Sequence, residues 1–176
     1  MTAALLARVT AMPGWLARIA VELPADRARV RPRAGGFSFV EHAWHLADLE
    51  RAGYATRVHR MLTEQEPALA DFAGDRIARE RGYQDDVPGP AVAIFAATRR
   101  RTLARLAALD PAARARGGTQ DAVGRVIVDD IPLMMDAHDR GHIVELIALI
   151  QEVAPELTVL NGLRAASVPP EHPVAA

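Results

Sequence analysis

The chain has no cysteine in its 176 residues. That absence excludes disulfides, cysteine–zinc clusters and a cysteine nucleophile together. An excess of charge of one sign is also lacking. Twenty-one basic residues stand against 22 acidic ones, for a net charge of −1. A broad basic footprint for nucleic acid is therefore missing. The most basic patch, Arg99-Arg100-Arg101, reads as a solvated helix face. Long apolar runs are missing as well. Arginines interrupt the N-terminal MTAALLARVTAMPGWLARIAVEL, which argues against a signal peptide. No stretch approaches the roughly 18 uninterrupted apolar residues of a membrane span. No nucleic-acid partner and no membrane partner are expected. A cytoplasmic location is compatible with the missing cysteine.

What is present is ordinary in bulk and helical in pattern. Half the residues are apolar and 24% are charged, which suits one domain with a sizeable core. The heavy use of Ala and Arg is that of a GC-rich bacterial genome. Leu5, Leu6, Val9, Leu16 and Ile19 mark a first helix over 3–22, which Pro13 should kink or restart. A polar connector, LPADRARVRPRAGG, follows. Ser38 with Glu41 three residues on is a capping box, opening a second helix that runs to about Glu64. DRIARERGY suggests a short helix in an otherwise loose stretch. A third helix is expected over about 91–109. ARARGGTQDAVG reads as a loop. A fourth helix should start between 126 and 130, with Pro132 in its first turn, and run to Val153. No convincing strand is visible. The fold class is all-α: an up-and-down four-helix bundle with short extra helices over residues 1–160, followed by a mobile tail over 161–176.

The histidines carry the chemistry. His138 and His142, four residues apart, share one face of the fourth helix. That is the spacing at which a helix offers two nitrogens to one metal ion. The intervening Asp-Arg-Gly lacks the glutamate of a metalloprotease helix. His45, mid-way along the second helix, can supply a third imidazole across the bundle. Three histidines with open positions left over is the layout of a catalytic metal site rather than a closed structural one. A pair of satisfied core histidines is the bland alternative. Gly141 would let the second helix approach or leave room for a ligand. Asp48, His42 and Glu145 are candidates for orienting the imidazoles, Asp48 also being a candidate salt-bridge partner for Arg51. Glu50 is a similar alternative. Glu41 is explained by the capping box, and Asp139 points off the ligand face toward an arginine. His59 borders the end of the second helix, and His172 lies in the tail. Trp44, Met134 and Met135 are expected to line a pocket.

Together, FSFVEHAWHLADLERAGYATRVHRML and, some seventy residues later, MMDAHDRGHIVELIALI resemble the DinB-like family. The signatures are H-L-x-D-x-E on the second helix and H-D-x-x-H on the fourth. The likeness extends from the first helix to about residue 153, through ERGYQDD and FAATRRRTLARL. It implies a four-helix bundle, commonly homodimeric, and a divalent metal ion, often zinc or nickel, held by three histidines. Carried over by position, the metal ligands are His45, His138 and His142, the same trio that the spacing proposes. Some relatives are thiol-dependent S-transferases or isomerases.

Three functions follow as expectations. The first is a metal-dependent enzyme using a low-molecular-weight thiol on small electrophiles, with Arg51 or Arg140 holding a carboxylate of that thiol. The second is hydrolysis by a metal-activated water, for which only Glu145 and Asp48 offer a base within a turn of the histidines. The third is a non-catalytic metal-binding helical module.

Overall fold

A computed structural model describes residues 2–121 and 123–167. Its first rod is set by a cap: Thr2 Oγ1 accepts the Leu5 amide at 3.2 Å, and α1 (Ala3–Glu22) follows. The helix continues through Pro13 rather than restarting there. Leu5, Val9, Met12, Leu16 and Ile19 form its buried stripe. By length and composition α1 is also the one described helix that could cross a membrane, although arginines interrupt its apolar run. In the structure it serves as a rod of the bundle.

The second rod opens on the expected capping box. Ser38 Oγ accepts the Glu41 amide, and Glu41 Oε2 accepts the Ser38 amide at 2.9 Å. Arg31 grips the same carboxylate through Nε at 2.8 Å. This rod is not one regular helix. Helix α2 (Phe39–Asp48) widens into a π-helical segment, Leu49–Ala55, before α3 (Thr56–Thr63) resumes. The wide turn carries an extra residue, and both Asp48 and Glu50 end up buried. After the short α4 (Gly74–Arg81), the third rod is α5 (Pro88–Ala107), with a proline in its first turn, and a one-turn α6 (Pro111–Arg114) follows it. The fourth is α7 (Ile131–Val153), with Pro132 in its first turn as expected.

Helix α1 packs on α5 and α7, while α2 packs on α5 and, at its histidines, on α7. The first two rods therefore face each other across the diagonal of the bundle. Arg99 of α5 is fully buried and binds three rods together. Its guanidinium donates to Val9 O at 2.9 Å, Glu50 Oε2 at 2.9 Å and Asp139 Oδ2 at 2.6 Å. One apolar core gathers around Phe39, Phe95, Leu146 and Leu149. A second lies around Met61, Val128, Ile131 and Met135.

Two expectations fail outside the rods. The stretch read as a loop contains strands β2 (Gly117–Gln120) and β3 (Gly124–Ile127), paired antiparallel. A two-residue β1 (Ala68–Leu69) joins β2 in parallel. The strands are too short for alternation to show in the sequence. Glycines make them possible by close approach: a Cβ on Gly117 would lie 2.6 Å from Val126 O, and one on Gly118 would lie 2.5 Å from Pro67 O. Residue 161 also does not open a tail among the described residues. Helix α8 (Val159–Ser167) runs through Asn161-Gly162, burying Val159, Leu160 and Leu163. Residues 168–176, including His172, lie outside the described residues.

Candidate functional site

The capping box fixes the start of α2, and two turns of regular helix then carry His42 and His45 to the face that meets α7. His138 and His142 come from α7 one turn apart. The structure brings His45, His138 and His142 to one point. His45 Nε2 lies 3.2 Å from His138 Nε2, and His142 Nε2 lies 3.2 Å from the same atom. One ligating atom from each of the three sits within 4.8 Å of the others.

Burial, with repulsion between the rings, sets the protonation of His45 and His138. Burial first, then the His142 ring, takes His45 down to about 4, against an opposing pull from Glu145 and Asp48. Burial and the neighbouring rings take His138 to about 3. His42 is likewise pushed well below its ordinary value, by burial first. Neutral rings keep a lone pair free, which is the state a metal ion requires. Hydrogen bonding accounts poorly for this cluster. Three Nε2 atoms facing one another cannot all be satisfied by each other's single protons. The Nδ1 atoms of His45 and His138 are buried without a partner among the described residues. A tetrahedral ion at a zinc–imidazole distance of about 2.0–2.1 Å would spread its nitrogens about 3.3–3.4 Å apart. The donor set and its spacing therefore suit a divalent ion.

His142 is the best-supported ring. Its Nδ1 lies 2.9 Å from His42 Nδ1 and 3.2 Å from Glu145 Oε2. A proton on Nδ1 between those two acceptors leaves Nε2 unprotonated and aimed at the cluster. The bond from His142 is also what holds the Glu145 carboxyl below its ordinary range. His42 and Glu145 thus stand where an orienting role was expected.

Asp48 does not. Its oxygens accept from Arg51 at 2.9 Å, Arg81 at 2.6 Å and Tyr83 at 2.5 Å, and none reaches an imidazole. It fastens the strap of residues 65–86 instead. Arg81 ends α4 (Gly74–Arg81), which Gly82 stops in the left-handed region at φ 63°. The other end of α4 lies on His45. A Cβ on Gly74 would fall 2.7 Å from His45 Nδ1 and closer still to Cε1. Phe72 meets the ring edge-on, with centroids 5.7 Å apart, and Phe37 packs against it at 5.4 Å. The glycine that matters is therefore Gly74. Gly141 is exposed, and a Cβ there would meet nothing within 4 Å.

A pocket of about 410 Å³ opens over the rings. Its walls include Pro32, Ala34, Phe37 and Ala148, with Asp75 and Glu145 as the charged groups. Trp44, Met134 and Met135 are not among its walls. Trp44 stacks near Tyr83, Met135 is core and Met134 is packed beside it. Asp139 pairs with Arg99 off the ligand face, and Glu50 pairs with that arginine rather than orienting a ring. The short helix expected at DRIARERGY is α4, but the sequence does not foreshadow its contact with His45, nor the Gly35-Gly36 rim. The rim's one visible signal is the Gly-Gly immediately before the Phe37–Ser38 helix start.

The DinB superfamily profile matches residues 8–146. The chain belongs to that superfamily. YfiT from Bacillus subtilis, a solved structure, has the same fold at a TM-score of 0.76 and 18% identity. The match covers 86% of this chain and 89% of that one. YfiT is described as a probable metal-dependent hydrolase with an unusual four-helix bundle topology. No curated protein matches the chain. Within the superfamily match lie both halves of the site, from His42 and His45 through Glu145.

Proposed function

We propose that His45, His138 and His142 hold one divalent ion, zinc or nickel as the family resemblance implies, and that the chain is a metal-dependent hydrolase of a small molecule. The observation that carries this reading is the convergence of three imidazole Nε2 atoms beneath an open pocket whose wall includes the Glu145 carboxylate. When bound, the ion supplies Lewis acidity and lowers the pKa of a water. The protein's own residues do the rest. His42 and Glu145 hold the tautomer of His142. Phe37, Phe72 and Gly74 fix the His45 ring. Glu145 is ionised beside the reacting space, so it can take a proton from an attacking water and return it to a leaving group. The description of YfiT as a probable metal-dependent hydrolase supports the same reading.

A second reading, transfer from a low-molecular-weight thiol to a small electrophile, draws on the open pocket and the absence of any cysteine in the chain. It is the weaker one. Arg51 is occupied by Asp48, and Arg140 lines a different groove, beside Arg8 and Asp136. Neither can anchor a thiol carboxylate at this pocket. Cytoplasmic residence and a homodimer belong to the same proposal.

Elemental analysis of the purified protein and its His45→Ala variant tests the ion. About one metal per chain is expected, and its loss in the variant. A panel of small esters and amides then tests the reaction, with monobromobimane plus a thiol as the competing assay. Glu145→Gln should keep its metal and lose about 10²–10⁴-fold in hydrolytic rate. Stoichiometric metal with no turnover in either assay, and a large drop in melting temperature on removing His138, would instead identify a metal-stabilised module.

A further inference from the structure

The pocket is polarised, and its polarity points to a substrate class, provided that the metal site proposed above holds its ion. Its floor is made of imidazoles, where the dication would sit. Its charged wall residues are both acidic, Asp75 from the strap and Glu145 from α7. In a chain with 21 basic residues, no arginine among the described residues lines it. The arginines adjacent in sequence to its lining residues point to other partners: Arg31 holds Glu41, the exposed Arg33 has its Nε 3.5 Å from Glu152, and Arg76 is turned to Glu80 at 3.3 Å. Asp75 is exposed, and no salt bridge among the described residues engages it. The remaining wall is apolar, Phe37 beside the smaller Pro32, Ala34 and Ala148, which leave room for a short hydrocarbon body. At about 410 Å³ the space is near the lower end of the range for small-molecule sites.

A ligand complementary to this shape has two ends. An electron-rich oxygen belongs at the floor, where the positive charge would sit. A positive group belongs at the unpaired carboxylate, Asp75. A second anionic group on the ligand would meet Asp75 and Glu145 with no cation on the wall to offset the repulsion. We infer that the pocket takes a small carbonyl compound bearing a protonated amine, an amino ester or amino amide, with its carbonyl toward the imidazoles and its ammonium at Asp75, while Glu145 stays free for the proton of the attacking water. The same placement disfavours compounds that would set a second anionic group against that wall.

Three matched probes test it on the zinc-loaded full chain: hexanohydroxamate, its ω-amino derivative and its ω-carboxy derivative. Each offers the same metal-binding head, and only the charge of the tail differs. Titration calorimetry should rank them amino, neutral, carboxy, with about a tenfold gap between the extremes, the factor that about 1.4 kcal/mol of screened charge interaction gives. Asp75→Asn should flatten that ranking and Asp75→Lys should invert it. Asp75 lies on the surface, so both variants should fold, and circular dichroism checks that they do. If the neutral probe binds while the carboxy probe equals or exceeds the amino probe, the substrate class is wrong and the metal site stands. If the ranking survives Asp75→Lys, the strap carboxylate does not set it and the assignment falls. If none of the three binds, the open metal site fails and this inference fails with it.

Discussion

Gly74→Ala is the substitution that separates a built metal site from a chance gathering of histidines. The added methyl would stand 2.7 Å from His45 Nδ1. Ordinary contacts between heavy atoms lie at about 3.5–4.0 Å, so ring and strap must part by about 1 Å. The ring has nowhere to retreat. Phe37 and Phe72 hold two sides of it, and the rings of His138 and His142 lie at 5.3 and 4.9 Å between centroids. The strap cannot lift freely either, because Asp48 ties down its far end through Arg81 and Tyr83. Support residues of metal ligands typically contribute 10–100-fold in affinity. We expect a loss in that range, about 1.4–2.7 kcal/mol. Stability should fall by about 0–2 kcal/mol, since alanine gains up to about 1 kcal/mol over glycine in a helix against an overpacking cost of about 1–3 kcal/mol. Cobalt(II) titration against a competing chelator, read by visible absorption, measures the first quantity, and thermal melting of the metal-free protein measures the second. Unchanged cobalt affinity with an unchanged spectrum would show that the strap does not hold His45, and the packing of Gly74 on that ring would have no part in metal binding.

Arg99→Met should strip the single guanidinium from two buried carboxylates, costing about 3–5 kcal/mol in chemical denaturation; a loss under about 1 kcal/mol would mean that both carboxylates are already neutral. Glu50 is pushed up to about 7, by burial first and by Asp139, with Arg99 pulling the other way. Its folded value exceeds its ordinary 4.5, so the folded state holds the extra proton, and stability present below pH 4.5 is lost as pH rises through 7. Glu50→Gln should therefore gain on the parent between about pH 5 and pH 8 in parallel urea titrations, and a gap that shrinks with pH would refute that sign. Asp48→Ala should free Arg81 and Tyr83, destabilise the fold by about 1–3 kcal/mol and expose residues 65–86 to limited proteolysis; an unaltered digestion pattern would show that the strap is held without it.

The rods were legible because their signals are local and repeated. The Ser38–Glu41 box and Pro132 placed two helix starts, and the stripe from Leu5 to Ile19 placed α1. The trio of imidazoles was legible because four-residue spacing is geometry that a helix cannot hide. The support of that trio was not. Nothing in the order of residues says that Gly74, some thirty positions after His45, abuts its ring, or that Asp48 turns toward Tyr83 instead of toward an imidazole. Both depend on how a short, aperiodic strap folds back over α2. The three strands escaped for a related reason: each is two to four residues long and is held by glycine contacts between backbones, which leave no hydrophobic pattern to read.

The wide segment Leu49–Ala55 bears on how this rod tolerates editing of its length. An α-helix turns about 100° per residue, so removing one residue from a regular stretch spins everything downstream onto a new face. A π turn already holds one residue more than an α turn. Deleting the exposed Ala52 would let the segment relax to ordinary winding while Val58 and Met61 keep their bearings toward the second core. The same excision at Ala47, inside the tight stretch that carries His45, would swing the later half of the rod out of phase.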